Sequence, residues 1–219
     1  MKIYFVRHGE SQANRLHEIS NRGLKHPLTE AGRQQARDLA GKLEGQAIVH
    51  IYSSPVLRAI ETTVIVAHAL GIEYDVTEAL REYDVGLLEG RADEEAWRAW
   101  QGLFDDWTKA GRREQRIEGG ESLDHVQGRF VSFVDGLVQQ YGRTNANLLC
   151  VAHGGLYSVA LPAVITNVDR ALIAQHHGFD YAGVIVSELR PEGLVAIEWN
   201  GAKITPPAAA APTWRQSRP

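Results

Sequence analysis

The residues best suited to chemistry in this chain lie directly after short apolar runs. Two of these runs end in a histidine followed by a glycine, at His8 and His153. Arg7 precedes the first histidine, Arg58 follows the second apolar run, and Glu82 follows the third. If the runs are strands of one parallel sheet, these side chains collect at its carboxyl edge, where open α/β sheets bind ligands. The sequence therefore predicts one site with two imidazoles, two guanidinium groups and a carboxyl group.

This set of groups fits the transfer of a phosphoryl group. An imidazole is nucleophilic and largely neutral near pH 7, and nearby arginines should keep His8 neutral. Arg7 and Arg58 can bind phosphate oxygens through paired hydrogen bonds. Glu82 can protonate the leaving alkoxide if its surroundings raise its pKa toward neutrality. His153 would stabilise the transferring group by a hydrogen bond or by charge.

Strands and helices must alternate along the chain to position these groups. The predicted strands are the short apolar runs at residues 3–6, 49–52, 73–76, 148–152, 184–189 and 194–199. The predicted helices are the stretches of helical period at about 28–43, 56–70, 93–110, 121–140 and 156–165. Thr29 is the expected N-cap of the first helix and Gly71 the C-cap of the second. The pattern is typical of an α/β layered fold with a mainly parallel sheet, followed by a hairpin.

One predicted helix carries an aromatic stripe and is followed by a basic run. Trp97, Trp100, Phe104 and Trp107 recur at spacings of three and four and so share one helical face. The stripe either packs the helix onto the body of the protein, the interpretation we favour, or forms a wall over the site. The basic residues are Arg112, Arg113 and Arg116. They form either a solvated surface, which is the usual case, or a binding site for a second anionic group of a substrate.

Composition argues against several classes of protein. The 219 residues are 44% hydrophobic and 23% charged, as in ordinary globular proteins. A net charge of -4 gives no global attraction to nucleic acid. With no run of about 18 apolar residues and no signal-peptide pattern, we expect a cytoplasmic protein that does not enter a membrane. The one cysteine, Cys150, lies in an apolar run and is expected to be a buried structural thiol.

Six motifs follow one another along the chain. They are Arg7-His8-Gly9-Glu10-Ser11 with Asn14, Leu28-Thr29-Glu30-Ala31-Gly32-Arg33-Gln34-Gln35-Ala36, Ser53-Ser54-Pro55-Val56-Leu57-Arg58-Ala59, Leu80-Arg81-Glu82 with Gly86 and Glu89-Gly90, Gly119-Gly120-Glu121-Ser122, and Val151-Ala152-His153-Gly154-Gly155. Together they resemble the motifs of the histidine phosphatase superfamily, whose fold is phosphoglycerate mutase-like. They span roughly the first three quarters of the chain. The ordered set is specific, whereas the first tetrapeptide alone would be weak evidence.

The resemblance implies a three-layer α/β/α sandwich in one domain. This domain would cover residues 1–204, with a helical lid insertion at about 91–118, and a Pro- and Ala-rich tail would follow at 205–219. His8 would be the phosphorylated nucleophile and Glu82 the proton donor. The substrate-binding positions would be Arg7, Asn14, Arg58, His153 and Gly154. The resemblance implies no metal, and no cofactor is predicted.

The sequence leaves three alternatives for the function. The short insertion favours a phosphatase that acts on a small phosphorylated metabolite through phosphohistidine. A mutase, which must shield a bisphosphorylated intermediate from water, usually has a longer one. A third version is a silent protein that only binds a phosphorylated ligand. Leu88, where the family often has Trp, and Tyr181-Ala182, where a late strand often begins with Asn, leave the substrate open.

Predictions about partners are few. A small phosphorylated substrate is expected, and neither nucleic acid nor a membrane. A homodimer through exposed strand edges or the tail is a further expectation, with Trp214 of the tail docking on the body or on a second subunit. His176 and His177 are adjacent and, taken as strand neighbours, would face opposite sides, so no metal site is predicted there.

Overall fold

In the computed structural model, which describes residues 1–204, seven strands form one sheet. They are β1 Lys2–Arg7, β2 Ile48–Ser53, β3 Tyr74–Val76, β4 Asn147–Ala152, β5 Val184–Arg190, β6 Gly193–Trp199 and β7 Ala202–Lys203. Their order across the sheet is β3-β2-β4-β1-β5-β6-β7. The first four are parallel to one another, and β5, β6 and β7 pair antiparallel at one side. The parallel core and the final hairpin are as the sequence predicted.

Helices cover both faces of this sheet. They are α1 Gln12–Leu16, α2 Glu30–Leu43, α3 Leu57–Leu70, α4 Glu94–Thr108, α5 Leu123–Tyr141, α6 Gly154–Ala160 and α7 Arg170–Gln175, with 3₁₀ turns at Glu78–Leu80, Gly86–Leu88 and Leu161–Ala163. Because successive strand residues point to opposite faces, Phe5 packs with α5 and α6 while Val6 packs with α2 and α3. The predicted α/β/α layers are confirmed, with a hydrophobic core on each side of the sheet.

Local sequence signals set several element boundaries. The side chain of Thr29 accepts a hydrogen bond from the N–H of Gly32 at 3.0 Å and so caps α2. Gly71 ends α3 at φ 65°, a left-handed conformation that glycine adopts without strain. Cys150 is fully buried in β4, which confirms the expectation of a structural thiol.

The structure corrects two predicted elements. The helix expected over 156–165 begins at Gly154, ends at Ala160 and continues as a 3₁₀ turn. Pro162 explains its end, because proline has no N–H to bond to the carbonyl four residues earlier. The two adjacent histidines are not in a strand. His176 caps the C-terminus of α7 and stacks on Trp199, while His177 lies in a turn at φ 54°.

The remaining predictions about the fold concern membranes, metal sites and the tail. None of the helices between residues 1 and 204 combines the length and the apolarity that crossing a membrane requires. Within the same range, no three His, Cys, Asp or Glu side chains are grouped so that they could hold a metal ion. The tail at 205–219 and the docking of Trp214 lie outside the described residues.

Candidate functional site

His8 and His153 follow neighbouring parallel strands at the same level of the sheet. Arg7 at the end of β1 is paired with Ala152 at the end of β4, so the next residue of each strand is a histidine. The His8 N–H donates to the Ala152 carbonyl at 3.0 Å, and the centroids of the two imidazoles are 5.1 Å apart. Strand register alone therefore brings together the two histidines that the sequence singled out.

One tautomer of His8 is fixed by its hydrogen bonds. Its Nδ1 lies 2.6 Å from the carbonyl of Gly9, which can only accept, so Nδ1 carries the proton. Its Nε2 lies 2.9 Å from Nε of Arg58, which can only donate. The lone pair of His8 is thus on Nε2, and Nε2 is the atom that can act as a nucleophile.

The loop after β1 is held close to the helices around it. A Cβ on Gly9 would lie 2.5 Å from the carbonyl oxygen of Gly32, so only glycine fits against the start of α2. The Gly9 N–H donates to Oγ1 of Thr62 at 3.1 Å, and this hydroxyl donates to the carbonyl of Arg58 at 2.7 Å. The loop that carries His8 is therefore hydrogen-bonded to the same helix that supplies Arg58.

Arg58, in the first turn of α3, joins the two imidazoles. Its Nη2 donates to Nδ1 of His153 at 3.2 Å, in addition to the bond from its Nε to His8. His153 must then carry its proton on Nε2, which donates to Oγ of Ser54 at 2.7 Å. Both imidazoles are neutral in this arrangement, and one guanidinium group fixes the spacing between them.

Burial and charge favour these neutral imidazoles. Burial lowers the pKa of His8 well below its ordinary value, and the charges of Arg58 and Arg7 lower it further. The pKa of His153 is lowered in the same way, by burial first and then by Arg58. Burial also lowers the pKa of Arg58 to about 10, which leaves it charged at neutral pH. The arginines thus lower the pKa of His8 in the predicted direction, although burial is the larger cause.

Arg7 has an unpaired N–H group that an anion could accept from. Its Nη1 donates to the carbonyl of Phe179 at 2.6 Å, and its guanidinium carbon lies 4.2 Å from the ring centroid of Tyr181. Its buried Nε has no hydrogen-bond partner among residues 1–204. Gly154 leaves room beside it, since a Cβ there would lie 3.3 Å from Nε. A phosphate oxygen is an acceptor that would satisfy this N–H.

Glu82 is buried with only 8% of its surface exposed. Its Oε1 accepts from the N–H of Tyr83 at 3.0 Å, and its Oε2 accepts from the N–H of Gly155 at 3.1 Å. Burial raises the pKa of this carboxyl, against smaller opposing effects of the Tyr83 N–H and the Arg58 charge. A raised pKa is what a proton donor near neutral pH needs, as the sequence required of this residue.

These groups meet in a cavity of about 350 Å³. The phosphate end, as we call it, consists of the cavity-lining residues Arg7, His8, Asn14, Arg58, Glu82 and Gly154. In Asn14 the oxygen Oδ1 accepts from both the N–H and the hydroxyl of Ser11, at 3.0 and 2.8 Å, which leaves its NH₂ group as a donor. His153 is fully buried and does not line the cavity, so its link to the cavity runs through Arg58.

The aromatic stripe of α4 both packs the helix and lines the site. Trp97, Trp100 and Phe104 line the cavity, and we call them the aromatic wall. Trp107 is buried instead and packs edge-on against Tyr83, with ring centroids 5.2 Å apart. The indole N–H of Trp97 donates to the carbonyl of His17 at 2.9 Å, which attaches the wall to the C-terminus of α1. The favoured interpretation, that the stripe packs the helix onto the body of the protein, therefore fits Trp107. The alternative, that the stripe forms a wall over the site, fits the three residues of the aromatic wall.

Some site residues carry no signal in the sequence, and some predicted candidates lie elsewhere. Glu18, Tyr83 and Phe179 line the cavity but come from three separate loops. Leu88 is packed in the core and does not line the cavity. The basic run also lies outside the cavity lining; Arg112 pairs with Asp106, Arg113 pairs with Asp124, and Arg116 is exposed.

Comparison with known proteins gives concordant matches. A family model described as the histidine phosphatase superfamily (branch 1) matches residues 3–202. A relative from Salmonella choleraesuis, named "Probable phosphoglycerate mutase GpmB", is 36% identical over 135 residues, which are 59% of this chain. The match spans 59% of that relative's length.

Two solved structures are similar over nearly their whole length. Bacillus stearothermophilus YhfR is 27% identical, with a TM-score of 0.76 over 92% of this chain and 96% of its own. A mycobacterial glucosyl-3-phosphoglycerate phosphatase in complex with VO3 is 25% identical, with a TM-score of 0.77 over 92% of this chain and 99% of its own.

Proposed function

Because this chain belongs to the histidine phosphatase superfamily, we propose that it hydrolyses phosphate monoesters of small metabolites through a phosphohistidine at His8. The observation that carries the proposal is the fixed tautomer of His8. Its Nδ1–H is held by the Gly9 carbonyl, and its Nε2 lone pair is directed at the guanidinium of Arg58, which is a phosphate-binding group.

In the first half of the reaction, Nε2 of His8 attacks phosphorus and the bond from phosphorus to the alcohol oxygen breaks. The electron pair of that bond goes to the oxygen, which takes the proton of Glu82. Phosphate oxygens replace the imidazoles as acceptors for Arg58, while the free donors of Arg7 and Asn14 bind the others. The positive charge that develops on the phosphorylated ring is stabilised by the Gly9 carbonyl at Nδ1.

In the second half, the Glu82 carboxylate takes a proton from water as the water oxygen attacks phosphorus. The bond between phosphorus and Nε2 breaks, and His8 regains its lone pair while inorganic phosphate leaves. Glu82 ends protonated, as it began, so the cycle closes without a metal or cofactor in either step. We assign His153 a positioning role, since its Nδ1 receives a hydrogen bond from Arg58.

The test is turnover of p-nitrophenyl phosphate. We expect the wild-type protein to release p-nitrophenol, and we expect His8→Ala to abolish release. His68→Ala is the matched control because His68 is exposed on α3 and does not line the cavity. Rapid quenching with labelled substrate should trap an acid-labile, base-stable phosphoryl label on His8. Equal turnover by wild type and His8→Ala would refute the proposal.

A mutase is the second candidate, and its support is the name of the 36% identical relative. Incubation with 3-phosphoglycerate and catalytic bisphosphoglycerate separates the two activities. Formation of 2-phosphoglycerate supports the mutase, and free phosphate supports the phosphatase. The phosphatase is favoured because the arginines of the basic run, which were candidates for a second anion, lie outside the cavity lining.

The proposal extends to the domain organisation of the chain, its location in the cell and its oligomeric state. We propose one catalytic domain over residues 1–204, in which the segment at about 91–118 acts as a lid through the aromatic wall. A cytoplasmic location is proposed on the sequence features alone. A homodimer is proposed because Tyr74 and Val76 are exposed on the edge strand β3, and light scattering at micromolar concentration tests it.

A further inference from the structure

The cavity walls beyond the phosphate end are largely aromatic. Trp100 and Phe104 of the aromatic wall are stacked, with ring centroids 5.6 Å apart and an interplanar angle of 11°. Trp97 meets Trp100 edge-on at 5.7 Å. Phe179, from the loop before β5, is a further aromatic residue of the lining. Aromatic side chains that line a cavity favour a ligand with a ring of its own, whose C–H surface can pack against them.

An ionised carboxylate lies in the same part of the cavity. Oε1 of Glu18 accepts from Nζ of Lys25 at 2.6 Å and from Nε2 of His26 at 2.9 Å. The hydrogen bond from Lys25 lowers the pKa of Glu18. Because both of these hydrogen bonds are made by Oε1, the second oxygen, Oε2, is left for a ligand. An acceptor with a free oxygen fits a hydroxyl group and repels a second anion.

A buried phenol supplies the complementary donor. Tyr83 lines the cavity, is 1% exposed, and its hydroxyl has no hydrogen-bond acceptor within residues 1–204. Its ring is stacked with that of Trp100, with centroids 6.4 Å apart. Buried hydroxyl groups are normally paired, so an oxygen of a ligand or of water is the missing acceptor. Glu18 and Tyr83 together provide one acceptor and one donor, as a polyhydroxylated ligand requires.

The basic residues that line the cavity lie at its phosphate end. Apart from Arg7 and Arg58, the cavity lining contains no lysine or arginine in the described part of the chain. Arg170 lies over the Phe104 ring at 5.7 Å but is not part of the lining. A carboxylate or a second phosphate on the substrate would therefore lie beside the Glu18 carboxylate with no lysine or arginine of the lining to bind it, because Lys25 is paired with Glu18 and is not part of the lining.

We propose that the alcohol released by this site is a neutral, hydroxylated ring of the sugar class, and not a hydroxy acid. The inference rests on the proposed phosphatase function and names its substrate class. The ring lies against the aromatic wall, a hydroxyl donates to Oε2 of Glu18, and a ring oxygen or hydroxyl accepts from Tyr83. The same arrangement disfavours phosphoglycerates, whose carboxylate would face Glu18.

The first test uses two substrates that differ in one group. Glycerol 3-phosphate carries a hydroxymethyl group where 3-phosphoglycerate carries a carboxylate. We expect kcat/KM for glycerol 3-phosphate to be at least about tenfold higher, which is about 1.4 kcal/mol of differential transition-state binding. A hexose 6-phosphate should exceed glycerol 3-phosphate, because only the hexose has a ring to lie on the aromatic wall.

Variants assign the preference to the proposed residues. In Glu18→Gln the ratio of kcat/KM for glycerol 3-phosphate to kcat/KM for 3-phosphoglycerate should fall toward one. In Glu18→Lys the ratio should fall below one, so that 3-phosphoglycerate becomes the better substrate. Glu44→Gln, which removes an exposed carboxylate outside the cavity lining, should leave the ratio unchanged. Trp100→Leu should lower kcat/KM for the hexose phosphate more than for glycerol 3-phosphate.

Two results would overturn the inference. One is a kcat/KM for 3-phosphoglycerate that equals or exceeds that for glycerol 3-phosphate in the wild-type protein, a comparison that needs no variant to fold. The other is an unchanged ratio in Glu18→Gln. Turnover of p-nitrophenyl phosphate distinguishes failure of this inference from failure of the proposed phosphatase function. If the protein hydrolyses p-nitrophenyl phosphate but gives either of the two results above, only the substrate class is refuted. If it does not hydrolyse p-nitrophenyl phosphate, the phosphatase function itself is refuted.

Discussion

Gly155 lies in the first turn of α6, where its N–H donates to Oε2 of Glu82 at 3.1 Å. A Cβ at this position would lie 2.7 Å from Oε2 and 2.9 Å from Oε1 and the carboxyl carbon. Ordinary contact begins at 3.4 Å, so Gly155→Ala should move the carboxyl group by about 0.7 Å. Because that group is the end of a flexible side chain, the side chain yields and the protein still folds.

The expected kinetic effect depends on the leaving group. A displacement of about 1 Å in a catalytic group costs on the order of 10²-fold in rate, and a general acid contributes about 10²–10⁴-fold. We expect kcat/KM for glycerol 3-phosphate to fall roughly 10- to 100-fold in Gly155→Ala. For p-nitrophenyl phosphate the fall should be much smaller, because the nitrophenolate leaves without needing the proton of Glu82.

The assay is steady-state release of phosphate or nitrophenol, read as kcat/KM so that only steps up to phosphorylation of His8 contribute. Gly128→Ala is the control, since a Cβ on Gly128 in α5 would meet nothing within 4 Å. It should leave both substrates unaffected. Equal losses on the alkyl and aryl esters in Gly155→Ala, or no loss on either, would refute the assignment of Glu82 as the proton donor.

Three further predictions concern the charged and titrating groups of the site. Arg58→Lys keeps the charge but loses the two N–H groups that bind His8 and His153, and kcat/KM for any phosphate ester should fall about 10²-fold or more. For Glu82, whose pKa is raised, kcat/KM for an alkyl phosphate should decline as pH rises through that pKa, and the decline should be absent in Glu82→Gln. The pKa values of His8 and His153 are lower in the folded protein than when unfolded, so their stabilising contribution is complete above about pH 6.5 and is lost as pH falls toward the folded values. Urea unfolding should show this as a loss of up to about 1.4 kcal/mol per pH unit for each histidine, and His8→Asn should reduce the slope; a slope unchanged by this variant would contradict the assignment.

The sequence by itself determined much of the fold and which residues form the phosphate end of the cavity. An apolar run that ends in Arg7-His8 or in His153 specifies a buried strand and, at its end, a polar residue that leaves the sheet. Thr29 and Gly71 mark helix ends through interactions within a few residues, so the sequence alone specifies them. Once β1 and β4 pair in parallel, their carboxyl ends lie side by side, and His8 and His153 follow directly.

Only the tertiary structure decided how these groups bind one another and what surrounds the leaving alcohol. That Arg58 donates to both imidazoles, and that His153 lies outside the cavity lining, depends on how α3 and α6 pack on the sheet. Glu18 and Tyr83 join the cavity from loops with no periodic signal, because loop positions are set by contacts distant in sequence. The pKa of a buried group is likewise a property of its surroundings, which residue type and spacing do not specify.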